Sequence, residues 1–184
     1  MATLYTRNNA ENEYTEVNDQ NPLPVEVMGG MMPPVGGQTV TRLAQIPGIG
    51  AAAAYSALDQ FGTLITFPDV FRAEKRSGTI VNVLYYDFDD EGIGKTLLLF
   101  SRPVTAGTDN AAVALADGNA LACRGSIIIG TFGDAGNWQI GQANNQALWV
   151  SGESVHLYGI LTTAGADNIA AGAMPQIALV VLPD

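Results

Sequence analysis

The sequence predicts an all-β protein, a single β-sandwich of jelly-roll type preceded by an extended N-terminal arm. Three observations predict it. From residue 51 to residue 184, short apolar runs alternate with turns rich in Gly, Asn, Asp and Pro. Those runs favour β-branched and aromatic residues, which suit a pleated, half-buried surface. No run alternates with the longer amphipathic segments that βαβ units require. A chain of 184 residues with 47% hydrophobic content can bury a sizeable core in one domain plus an extension.

The arm comprises residues 1–50 and the sandwich residues 51–184. Residues 1–22 are polar, rich in Asn and Glu, and read as mobile. Pro22-Leu23-Pro24-Val25-Glu26-Val27-Met28 then alternates apolar positions before Gly29-Gly30-Met31-Met32-Pro33-Pro34-Val35-Gly36-Gly37. Two Gly pairs around a Pro pair forbid a regular helix or a central strand. Two readings fit: a flexible linker, or an arm that orders on a neighbouring subunit through Leu23, Val25, Val27, Met28, Met31 and Met32, the methionines filling a partner's groove. Residues 40–49 are short and apolar and end at Pro47-Gly48-Ile49-Gly50, a plausible boundary.

Within the sandwich the first strand covers residues 51–58, although its four alanines would equally suit a helix. A second runs from Gly62 to Phe67 and stops at Pro68. Residues 78–87 and 95–101 flank Asp89-Asp90-Glu91-Gly92 and read as the strongest hairpin in the chain, closed by Arg102-Pro103. Further strands are expected at 111–115, 124–130, 146–150, 155–163 and 177–182.

Charge narrows the function. Only 14% of residues are charged, against roughly 25% in ordinary soluble domains, so the surface is either unusually neutral or partly covered by partners. Net charge is −10, with eight basic residues in all. That is too few for a phosphate-tracking groove or an anionic membrane surface, so neither nucleic acid nor membrane is expected as a partner. The N-terminal stretch lacks the basic and apolar regions of a secretory signal, and no apolar run reaches membrane-spanning length. Synthesis in a host cytoplasm is the expectation.

No catalytic constellation stands out, so no enzyme is expected and no cofactor or metal is assigned. Gly92-Ile93-Gly94-Lys95-Thr96 imitates the end of a phosphate loop, but the glycine required five positions before Gly94 is Asp89. An EF-hand beginning at Asp87 would need its bidentate Glu where Leu98 stands. The acidic tip therefore reads as a solvated turn. His156, the single histidine, falls inside the strand expected over residues 155–163 and reads as a strand-face residue. Cys123, the single cysteine, reads as a small buried hydrophobe. Trp138 and Trp149 flank a Gln/Asn-rich stretch, a composition shared by carbohydrate sites, sandwich cores and interface anchors.

The order of Ser77-Gly78-Thr79-Ile80-Val81-Asn82-Val83, Leu97-Leu98-Leu99-Phe100 and Thr108-Asp109-Asn110-Ala111-Ala112-Val113-Ala114-Leu115-Ala116-Asp117 resembles that of capsid decoration (cement) proteins of tailed bacteriophages. Val155-His156-Leu157-Tyr158-Gly159-Ile160-Leu161 and the terminal Leu182-Pro183-Asp184 extend the likeness. It is one of pattern over residues 51–184. It implies a jelly-roll protein of the virion that binds the outer capsid surface, bridges major capsid protein subunits, and works as a homo-oligomer, dimer or trimer. Tail-fibre, spike and baseplate components share much of this composition. They form the alternative, with receptor or carbohydrate binding through Trp138 or Trp149.

Overall fold

A computed structural model describes residues 5–8, 13–16, 38–50, 54–170 and 174–184. The chain divides into two units, Met1–Met32 and Pro33–Asp184. In the first, β1 (Tyr5–Asn8) pairs antiparallel with β2 (Glu13–Glu16), a hairpin in a stretch that the sequence reading left without structure. The six apolar arm residues, Leu23 to Met32, lie outside the described residues.

The second unit contains β3 (Val40–Gln45), β4 (Ala54–Tyr55), β5 (Gln60–Phe67), β6 (Ser77–Asp87), β7 (Lys95–Phe100), the single-turn α1 (Asp117–Ala120), β8 (Cys123–Ile129), β9 (Thr131–Asp134), β10 (Gln139–Ser151), β11 (Leu157–Thr163), β12 (Asp167–Asn168) and β13 (Gln176–Pro183). One sheet has the order β3-β13-β6-β10-β9, the other β5-β11-β7-β8, and β12 pairs separately with β4. All pairings are antiparallel.

The pairing rule is that of a jelly roll. Setting aside β9 and the short β4–β12 pair, eight strands remain. The first of them pairs with the last (β3–β13), the second with the seventh (β5–β11), the third with the sixth (β6–β10) and the fourth with the fifth (β7–β8). Successive pairs fall in alternate sheets, as when one long hairpin is folded over itself. Alternating side chains fill the space between the layers: Phe61, Ile65 and Phe67 from β5, Val83 and Tyr85 from β6, Leu97 and Leu99 from β7, Leu179 and Val181 from β13, all at 0% exposure.

Several expectations are corrected. Residues 78–87 and 95–101 do form strands, but they are not a hairpin: β6 and β7 lie in opposite sheets. The connection is long enough to step between layers, which lie about 10 Å apart. It is shaped by the Asp87 carboxylate, which accepts the N–H groups of Asp89 (3.1 Å) and Gly92 (2.9 Å). Asp87 is 1% exposed, so this residue belongs to the core and not to a solvated tip.

The arm does not run to residue 50. β3 is an edge strand whose alternation turns Arg42 and Ala44 inward and Thr41, Leu43 and Gln45 outward, and Ile46 continues into the core. Of the strand expected at 51–58, only Ala54–Tyr55 is a described strand, residues 51–53 lying outside the described residues. Residues 111–115 make a single bridge, Asp59 to Ala112, and no strand. Instead, residues 102–122 lie over the outer face of the four-stranded sheet. Val104, Ala106, Val113, Leu115 and Ala122 there build a second small core with Phe100 and Ile160.

The strand expected at 146–150 is longer, Gln139–Ser151, and takes in the whole Gln/Asn-rich stretch. That stretch is the centre of β10, where a bulge sets Asn144 opposite Asn82 and Leu148 opposite Ile80. Asn145 (φ 53°) and Ala147 (φ 46°) take the left-handed conformation that this bulge requires.

Candidate functional site

The two sheets are dressed differently. One outer face carries residues 102–122; the outer face of the five-stranded sheet carries no covering segment among the described residues. Strand register builds that face in rows. Leu43, Ala178, Leu84 and Gln142 form one, Thr41, Val180, Asn82 and Asn144 the next, and Leu182, Thr79 and Trp149 the third. Leu43 is 56% exposed, Trp149 58% and Leu182 37%. None of these eleven side chains is charged. Ala178 is buried and Leu84 and Val180 are half-buried between them, so the exposed apolar groups are Leu43 in the first row and the Trp149–Leu182 pair in the third. Such pairs on a sheet face are candidate contact points.

Trp149 is held in place. Its indole Nε1–H donates to Asp184 Oδ2 at 3.1 Å, and that carboxylate also accepts from the Ser77 hydroxyl at 2.5 Å. The hydroxyl and the indole together draw the Asp184 carboxyl below its ordinary value. An amphipathic ring fixed by one hydrogen bond, with its face open, is the usual form of an interface anchor.

Trp138 is elsewhere. It precedes β10, beside Tyr86 (6.5 Å between centroids) and Phe88 (6.4 Å). Eleven steps of mostly extended chain separate it from Trp149, roughly 35 Å at strand rise. The two indoles therefore cannot stack on one small sugar, and the stretch between them is sheet.

Of the remaining sequence candidates, His156 lies just ahead of β11, not within it, and its Nδ1 accepts the main-chain N–H of Asp69 at 3.1 Å. The Asp69 carboxylate stands 3.7 Å from the same nitrogen. Cys123 is exposed at the start of β8, not buried. It borders an apolar recess of about 310 Å³ with Leu98, Phe100, Leu115 and Ala120 on the covered sheet face. The preceding residue explains the difference: Ala122 takes the buried place in the second core and Cys123, the next position, is exposed.

A second polar centre was not foreseen. Lys95 and Asp167 are each 1% exposed, with Nζ 2.6 Å from Oδ2. Nζ also donates to the Ile93 carbonyl at 2.8 Å and lies 4.9 Å and 5.0 Å from the ring centres of Phe61 and Tyr85. Burial lowers the Lys95 pKa, and the Asp167 charge opposes that shift. The Tyr85 hydroxyl is buried without a hydrogen-bond partner among the described residues. Desolvation, then the charges of Asp87 and Asp167, raise its pKa. The signal was present in part: Lys95 alternates with Leu97 and Leu99, and Asp87 with Tyr85 and Val83, so period two alone points both charges inward.

Asp109 organises a third. Its carboxylate accepts from the Tyr55 hydroxyl (2.9 and 3.0 Å) and from the N–H groups of Gly50 (2.8 Å) and Gly62 (2.6 Å). It ties the start of β5 to the loop over the second core, and burial with this hydrogen bond pushes the Tyr55 pKa up.

Compared with known proteins, the sequence matches no family model and no curated protein. No helix among the described residues is long and apolar enough to cross a membrane.

Proposed function

We propose that this chain is a structural protein of a virion that binds the outer surface of a phage capsid as a homo-oligomer and stabilises it by bridging major capsid protein subunits. The observation that carries this reading is the neutral, uncovered face of the five-stranded sheet around Trp149, Leu182 and Leu43. Its occupant is a second copy of the chain. Copies bearing a net charge of −10 each repel one another, and rows without charged side chains, bordered at Trp149 by the Asp184 carboxylate, keep that repulsion low. Isologous pairing through such a patch is the commonest route to a homo-oligomer. The arm and the loop tips are then left for the shell.

The test is cosedimentation of the purified chain with empty shells of the capsid protein encoded alongside it, paired with sedimentation velocity of the free chain. Saturable binding at a fixed ratio to the capsid protein, by an oligomer that Trp149→Ser weakens at least tenfold, is expected. Absence of shell binding would remove the decoration reading. Binding of the chain to a glycan array, lost in a Trp138 or Trp149 variant, would then support the tail-fibre alternative.

A further inference from the structure

An ion pair closed off from water is an uncommon way to spend a lysine and an aspartate. Taking both charges out of solvent costs more than their attraction usually returns, and hydrophobic residues of equal volume often serve better. Here the two groups are in contact at 2.6 Å, each 1% exposed, with the aromatic rings of Phe61 and Tyr85 beside the ammonium. They come from elements 72 positions apart, the first residue of β7 and the first of β12. An ammonium 2.6 Å from one carboxylate oxygen has the carboxyl carbon one bond further on, on the order of 3–3.5 Å away, which is near-attack distance.

We propose that Lys95 and Asp167 condense into an intramolecular isopeptide bond, a covalent staple between β7 and β12. Proton transfer within the pair gives a neutral amine and a carboxylic acid, the forms that a water-free site favours. The lowered pKa of Lys95 agrees with that direction. The Nζ lone pair attacks Asp167 Cγ and the C–N bond forms. The C–O bond to one carboxyl oxygen breaks, and that oxygen leaves as water carrying the two protons that Nζ gives up. The balance is –NH₃⁺ plus –COO⁻ to –CO–NH– plus H₂O, with no change of oxidation state and no co-reactant.

Two further groups fit the product. The Ile93 carbonyl, already 2.8 Å from Nζ, accepts the N–H that the amide retains. The Tyr85 ring, whose centre lies 5.0 Å from Nζ, packs beside the new amide and keeps water from it. Condensation also removes both buried charges, so the ion pair is the less favourable state of this site.

The experiment is intact mass spectrometry of the full chain under denaturing conditions, followed by tryptic mapping. The mass is expected about 18 Da below that of the sequence, the loss of one water. Trypsin is expected to leave Lys95 uncut and to yield residues 77–124 joined to residues 125–184. Lys95→Met, which fills the same aromatic site without a nucleophile, is expected to restore the full mass. A wild-type chain at the full sequence mass overturns the proposal, even if Lys95→Met fails to fold. So does a deficit that maps to a dehydrated Asp-Gly step such as Asp117-Gly118, or one that persists in Lys95→Met.

Discussion

Single residues hold this fold at a few points where no substitute fits. Gly62 is the clearest. Its φ is 76°, and an added Cβ would stand 2.6 Å from the Pro47 carbonyl oxygen and 2.6 Å from Ile46 Cγ2. The obstructing oxygen is backbone, so a side-chain rotation cannot relieve it. The same residue donates its N–H to Asp109, which joins β5 to the loop over the second core. Gly62→Ala therefore adds left-handed strain to a close backbone contact and should cost roughly 2–4 kcal/mol. A denaturant midpoint unchanged from wild type would show that the strand can shift to accept the methyl group. Lys95 makes a contrasting case, because the effect of replacing it depends on whether its charge or its covalent chemistry matters, and the mass measurement decides between them.

At the scale of elements, β3 changes what truncation should do. The sequence reading puts residues 1–50 in the arm, so their deletion would be expected to spare the domain. Yet β3 pairs with β13 along its whole length, and Ala44 and Ile46 are core residues. Removing residues 1–37 should leave the melting temperature within a few degrees of the full chain. Removing residues 1–50 should lower it by about 10 °C or more, because a buried Ile alone contributes roughly 1.5–3 kcal/mol and one such unit moves a domain of this size by about 2–4 °C per kcal/mol. The exposed β13 edge would in addition invite strand-to-strand association. Thermal melts of the two truncations, with light scattering on the longer one, separate these outcomes; equal melts would return β3 to the arm.

For the whole molecule, topology sets the kinetics. Among the described strands of the second unit, only β7–β8 and β9–β10 pair strands that follow one another in the chain, whereas β3–β13 joins residues near opposite ends of the unit. Loop closure must precede those distant pairings, so refolding should take milliseconds to seconds, as in other sandwiches. Stopped-flow refolding followed by tryptophan fluorescence measures this directly, and a microsecond phase carrying the full amplitude would contradict it. The same topology explains the asymmetric surface: residues 102–122, the crossing between β7 and β8, can reach only the four-stranded sheet. The opposite sheet keeps its neutral face.

The sequence by itself determined the all-β class and the central strands. In the strands β5, β6, β7, β8, β11 and β13, period-two alternation and turn residues are local properties of the chain. Alternation also pointed Lys95 and Asp87 inward, a signal outweighed by the apparent turn around them. The tertiary structure alone decided which strands pair, since β6 and β7 look like a hairpin until the connection between them crosses from one layer to the other. It alone placed Asp167, a residue in a two-residue strand with no pattern of its own, against Lys95. Contacts of that kind depend on the three-dimensional closure of distant segments, and no window of neighbouring residues records them.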